Sequence, residues 1–225
     1  MQEISRAALA TVLAPQDLNR VLTELNGQET KRIPNWEKLG PGDVILSSER
    51  GNYKHNIVYR FQRRFRKFEE EAAKWTHAMV YLGGLHVAES NSGAKDLVTG
   101  KFTVEGTNML ALTRYSANHE LMVCRPKGFT PEARAEAARY AAIDIAERRR
   151  TYDRGRLLEM AVRAGTPRVA VAAHSVICTD FAMEIIAIGG GQLLKEYNAG
   201  EFSFPAQFAT SEQFECEPVD YFKLV

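Results

Sequence analysis

"THAMVYLGGLHVAES", residues 76–90, is the stretch whose reading decides the fold. "HAMVYLG" (77–83) and "LHVAES" (85–90) each read as a strand, and Gly83–Gly84 between them is a turn signal. A tight antiparallel hairpin is therefore expected. Pairing about that turn sets position 89 near positions 78 and 79, which brings Glu89 within reach of His77. An acid so placed can fix the tautomer and orientation of an imidazole. Plainer readings stand beside this one: His77 as a partly buried structural histidine, and Glu89 as a solvated strand end.

Outward from the hairpin, "DVILSS" (43–48) and "ELMVCRP" (120–126) read as further strands. Leu18, Val21, Leu22 and Leu25 share one face of a helix over 16–26 that Gly27 stops. Residues 27–42 are polar with two prolines and read as a connector. Ile57, Phe61, Phe65, Phe68, Ala72 and Trp75 recur at helical spacing, which predicts one basic helix from Tyr53 to Trp75. Thr130-Pro131-Glu132 opens a helix running to about Arg149. Another helix is expected over 152–164, and one more from Cys178 to the glycine run at 189–191. Strands in antiparallel order with several helices give an α+β fold class. The expected division is an N-terminal helical extension, 1–40, and a main domain, 41–225.

With 225 residues the chain can bury one sizeable core, and a net charge of +1 gives no global pull toward a polyanion. Three cysteines, an odd number in a chain of this size, argue against a disulfide framework, so Cys124, Cys178 and Cys216 are expected as thiols, the first and last in the core. No apolar run approaches a membrane span, so no stable membrane insertion is expected. The start, "MQEISRAALATVLAPQ", places Glu3 and Arg6 where a secretory signal wants a basic start and a clean apolar run. It reads as a helix of a chain made in the cytoplasm, with any export left to a specialised secretion system.

Two further features carry chemistry. In "HSVICTDFAMEII" (174–186) the helical pattern begins at Cys178. Backbone N–H groups and the helix dipole favour negative charge there, which lowers a thiol pKa and suits a nucleophile. A small buried core cysteine is the plain alternative. The segment from Tyr53 to Trp75 carries Lys54, Arg60, Arg63, Arg64, Arg66 and Lys67 among aromatics. It suits a nucleic-acid or membrane surface, or a groove for an anionic substrate. A solvated face opposite an apolar stripe is the reading favoured, and no nucleic-acid partner is expected.

The order "PGDVIL" (41–46), "THAMVYLG" (76–83), "HVAES" (86–90), "TYD" (151–153), "SVICTDFAMEII" (175–186) and "FSFPAQFATSEQFECEP" (202–218) resembles the circularly permuted NlpC-like cysteine peptidases of papain-like fold, the YiiX-like group. The resemblance spans about residues 41–220. It implies Cys178 as nucleophile, His77 as base, Glu89 as the residue orienting His77, and Tyr152 as a substrate-binding pocket tyrosine. His before acid before Cys is the informative order, because unpermuted relatives place the cysteine first. The sequence departs from the pattern at "CTD" (178–180), at "FP" (204–205) and in the long basic insert at 53–74.

The resemblance implies a cysteine hydrolase that cuts an amide bond by acyl transfer, with a peptide or peptidoglycan stem peptide as substrate and no cofactor or metal. A secreted antibacterial effector, of the type VI kind, or a phage lysis enzyme fits that activity; an effector brings with it an immunity or delivery partner. A lipid acylhydrolase or acyltransferase using the same Cys–His pair is the second reading. A non-catalytic binding module is the third.

Overall fold

A computed structural model describes residues 2–13, 15–26, 32–93, 105–115, 118–153, 175–188 and 204–225. In chain order the elements are β1 (Gln2–Ile4), α1 (Arg6–Val12), α2 (Pro15–Asn26), β2 (Arg32–Pro34), β3 (Val44–Glu49), α3 (Ile57–Phe65) and α4 (Glu70–Ala73). Then come β4 (His77–Gly83), β5 (His86–Asn91), β6 (Gly106–Ala111), β7 (His119–Pro126), α5 (Pro131–Glu147), β8 (Thr151–Tyr152) and β9 (Ser175–Val176). The last are α6 (Cys178–Ile188), α7 (Pro205–Thr210), β10 (Phe214–Pro218) and β11 (Tyr221–Leu224).

The α+β class expected from the sequence is the class observed. Six strands form one sheet in the order β10-β7-β3-β4-β5-β6, and every neighbouring pair is antiparallel. Strand alternation sends Val44, Leu46, Ala78, Val80 and Ala88 to one face, where they pack against Ala137 and Ala141 of α5 and Phe181 and Ile185 of α6. Ile45, Met79, Tyr81, Val87 and Val123 face the other way, into a second cluster with Leu39, Leu112 and Val219. Thr130 opens α5 as expected, its hydroxyl accepting from the Ala133 N–H at 3.2 Å with Pro131 at the first turn.

The start of β3 is held by the "PGD" turn. Asp43 is fully buried and accepts from the Gly40 N–H at 2.9 Å, while Arg134 and Arg125 lie 3.3 and 3.4 Å from its two oxygens. Gly42 has φ +86°, and a Cβ there would stand 2.3 Å from the Arg134 carbonyl oxygen, so only glycine lets α5 approach this closely. Burial raises the Asp43 pKa, and the Gly40 N–H and the two guanidiniums work against that rise.

The β4–β5 hairpin turns one residue later than the glycine pair suggests. Gly83 pairs with His86, and Gly84 and Leu85 occupy the turn at φ +54° and +63°. A left-handed leucine costs about 1–2 kcal/mol. Its side chain, 1% exposed, packs with Leu9, Leu25 and Ile33, and burying a leucine contributes about 1.5–3 kcal/mol, which offsets the strain.

Three expectations are corrected. The segment 1–40 is not purely helical: β1 pairs in parallel with β11, which pairs antiparallel with β2, so both ends of the chain share a small sheet. The single helix over 53–75 is broken into a turn at Tyr53–His55, α3, and α4. Lys67 adopts φ +54°, and buried Gln62 supports the break by donating to the Ala73 and Trp75 carbonyls at 2.7 and 2.9 Å. Cys124 and Cys216 are not thiols; the register of β7 with β10 sets them opposite, Cα atoms 4.2 Å apart, as a disulfide. Of the helix expected over 152–164, Tyr152 lies in β8 and residues 154–164 fall outside the described residues, as does the glycine run at 189–191. No helix among the described residues is long and apolar enough to cross a membrane.

Candidate active site

The register of the hairpin builds the site. Met79 stands opposite Glu89, so His77, two residues earlier on the same face of β4, is the diagonal neighbour of Glu89. Their side chains meet: His77 Nε2 lies 2.8 Å from Glu89 Oε2. Glu89 is fully buried and accepts two more hydrogen bonds, from the Tyr115 hydroxyl and from the Asn91 amide. Burial alone raises a carboxyl pKa, but His77, Tyr115 and Asn91 together outweigh it and hold Glu89 below its ordinary range.

Cys178 is the first residue of α6, beside the sheet at β4, and the Ile177 carbonyl accepts the helix bond from Phe181 at 3.0 Å. Ala78 and Ala182, both fully buried, are small enough to let helix and strand pack closely. Cys178 is the free cysteine of the three and is 5% exposed. It interacts with His77, and the ring nitrogen left for it is Nδ1, because Nε2 is on Glu89. Burial raises the thiol pKa; His77, the Ala78 backbone N–H and the Thr179 hydroxyl overcome this and lower it. Burial likewise opposes charge on His77, whereas Glu89 and Cys178 push its pKa up to about 10. Both shifts favour the thiolate–imidazolium form of the pair over the neutral one.

His77, Tyr152 and Cys178 line one cleft of about 270 Å³, with Glu89 behind its wall. All four residues singled out in the sequence thus come together. Tyr152 sits on β8, paired with β9 just ahead of Cys178, and burial followed by the Cys178 charge raises its hydroxyl pKa. The remaining wall mixes polar Ser47, Glu49, Asn56, Asn91 and Ser92 with apolar Ile57 and Val58. A larger concavity of about 570 Å³, lined by Arg50, Trp75, Glu120 and Tyr221 among others, contains none of these four. Among the described residues, no group of three or more His, Cys, Asp or Glu side chains is placed to hold a metal ion.

Sequence reading missed three neighbours. Tyr115 stacks on the His77 ring, centroids 6.0 Å apart and planes 24° apart, while bonding Glu89. Asn91 bonds the other Glu89 oxygen, and its spacing of two from Glu89 on one strand was a usable signal. His119 lies edge-on to Tyr115 at 5.3 Å and lines the cleft. Burial lowers its pKa to about 4, and its Nδ1 has no hydrogen-bond partner among the described residues. His119 stands opposite Glu49 through the β3–β7 register, which no local pattern reveals.

In sequence comparisons no protein-family model matches the chain, and no curated protein matches it.

Proposed function

We propose that the chain is a cysteine hydrolase of permuted papain-like arrangement that cuts an amide bond in a peptide, with the stem peptides of bacterial peptidoglycan as its substrate. The observation that carries the reading is the Cys178–His77–Glu89 alignment: a thiol at a helix start, a histidine raised toward imidazolium, and a buried carboxylate on that ring's far nitrogen. The order His77, Glu89, Cys178 along the chain supports the permuted arrangement.

The Cys178 thiolate attacks the carbonyl carbon, forming a C–S bond and placing the electron pair on oxygen. That oxyanion accepts from the Cys178 backbone N–H at the start of α6, where the helix dipole adds to the effect. Collapse breaks the C–N bond, and the departing amine takes the proton from His77. Water then attacks the thioester, giving its proton to His77, and the carboxylate leaves as the thiolate is restored. Glu89, held by Tyr115 and Asn91, keeps the ring oriented throughout.

Hydrogen-bonding side chains at Ser47, Asn56, Asn91 and Ser92 in the cleft wall support a peptide substrate, whose backbone they can bond. The Cys124–Cys216 disulfide supports action in an oxidising compartment, in keeping with an exported enzyme. The test is a digest of purified peptidoglycan with wild-type protein and Cys178→Ala, read by mass spectrometry. New muropeptides from wild type alone are expected. Their absence, with release of acyl groups from lipid substrates instead, would sink the peptide reading.

A further inference from the structure

A cationic surface outside the Cys178–His77–Glu89 alignment begins at the cleft. Residues 53–68 contain six Lys and Arg and no Asp or Glu, although the chain as a whole carries a net charge of only +1. Part of this charge is used locally. Lys54 pairs with Glu70 at 2.7 Å, and Arg63 donates to the Phe68 carbonyl and lies 3.8 Å from Glu69. Arg60 and Arg64 are different. Both are exposed, and among the described residues neither meets a carboxylate; Arg60 reaches only the Lys54 carbonyl at 3.4 Å, and Arg64 lies 5.8 Å over the Phe65 ring.

Their placement on α3 follows from helical period. Ile57, Arg60 and Arg64 stand at i, i+3 and i+7 and so form one stripe; Gln62 is buried on the opposite side, and Phe61, one turn on from Ile57, is buried along the stripe's flank. Ile57 is 48% exposed and lines the same cleft as Cys178 and His77. At 1.5 Å per residue the stripe runs about 10 Å from the cleft rim to Arg64. Asn56, which caps α3 by accepting from the Val58 N–H at 2.8 Å, also lines the cleft, so the helix is fixed at the site by its own N-terminus.

We propose that the Ile57–Arg60–Arg64 stripe is the docking rim for the substrate, an extended acidic peptide whose free carboxylates lie on the two arginines while its scissile bond enters the cleft. This rests on the peptidase reading of the site. A peptide of the length the stripe spans presents carboxylates about one helical turn apart to Arg60 and Arg64, with Ile57 giving an apolar contact beside the scissile bond. Guanidinium forks suit carboxylates, and their contribution, being at an exposed rim, is modest per contact and sensitive to salt.

The test uses the full chain carrying Cys178→Ala, which binds without turnover, and a fluorescein-labelled stem tetrapeptide with its carboxylates free, read by fluorescence anisotropy. Arg60→Gln/Arg64→Gln is expected to weaken binding roughly fivefold at low salt, and Arg60→Glu/Arg64→Glu roughly twenty-fold, as two exposed ion pairs imply. The same tetrapeptide with its carboxylates amidated is expected to bind weakly and equally to all three proteins. Arg139→Gln, an exposed arginine on α5, is expected to change nothing. In the Cys178-intact chain, the double Gln substitution raises KM and leaves kcat in place. Equal binding of the acidic peptide with and without the two arginines would overturn the rim while leaving the peptidase reading standing. Arginine-dependent binding with no hydrolysis by the Cys178-intact chain would uphold the rim and sink the reaction. Arginine-dependent retention on vesicles of anionic phospholipid, without peptide binding, would overturn the acidic-peptide occupant.

Discussion

Two buried carboxylates, Asp43 just ahead of β3 and Glu89 in β5, are both fully hidden from solvent and do opposite work. Asp43 lies where β3 begins, between two guanidiniums and a backbone N–H, and does not line the Cys178 cleft. Burial wins there and raises its pKa. Glu89 lies behind the cleft, bonded by a histidine, a tyrosine and an asparagine, and these partners win, lowering its pKa. The contrast teaches that a buried acid in a motif is read by its partners rather than by its burial. Arginine partners that themselves sit among structural elements make a corner post. A histidine partner that also touches a thiol makes an orienting group.

The strongest way to break this contrast is to remove the thiol. Cys178→Ala is expected to lower hydrolysis by three or more orders of magnitude, measured as single-turnover cleavage, while the melting temperature moves by only a few degrees. Next come the two carboxylates themselves. Glu89→Gln should cost a hundredfold or more in kcat/KM and should also lower stability, because it removes a buried carboxylate that His77, Tyr115 and Asn91 hold ionised. Asp43→Asn should cost about 1–3 kcal/mol in denaturant unfolding, because Arg134 loses its carboxylate partner while Arg125 keeps Glu217, with kcat/KM retained in the folded fraction. Equal effects of both substitutions on stability and on rate would dissolve the distinction.

Tyr115→Phe sharpens it further. Loss of one of three bonds to Glu89 is expected to reduce kcat about tenfold and to move the alkaline limb of the pH–rate profile downward, since a less firmly held carboxylate raises the His77 pKa less.

How much of this was legible differs by element. The Glu89–His77 proximity follows from strand alternation about one hairpin, so local pattern was enough, even though the turn itself shifted to Gly84–Leu85. The cysteine at a helix start was legible because periodicity begins there. Tyr115 was not, because it lies in the short turn Leu112–Tyr115 after β6, and only the packing of that turn under the sheet brings it to Glu89. The break in the 53–75 helix depends on Gln62 bonding carbonyls 11 and 13 residues away, a tertiary override of an unbroken apolar stripe. The disulfide joins strands 92 residues apart, and β1 and β2 have three residues each, too short for any pattern to register.

The smallest expected effect concerns His119. Its pKa falls from 6.5 to about 4 in the folded chain, so the unfolded chain binds the proton more readily. The folded state therefore loses stability as pH drops from about 6.5 toward 4 and holds it above that window. His119→Asn should flatten this part of a stability-against-pH curve by thermal unfolding and leave the neutral value nearly unchanged.

The most direct test of the account is the alkylation rate of Cys178 by iodoacetamide as a function of pH, in wild type and in His77→Ala. With Cys124 and Cys216 joined, one thiol reacts in the native chain. An inflection below the ordinary thiol value of 9 is expected in wild type, with a shift upward when His77 is removed. A wild-type inflection at or above 9, unchanged by His77→Ala, would show an inert core thiol and contradict the account.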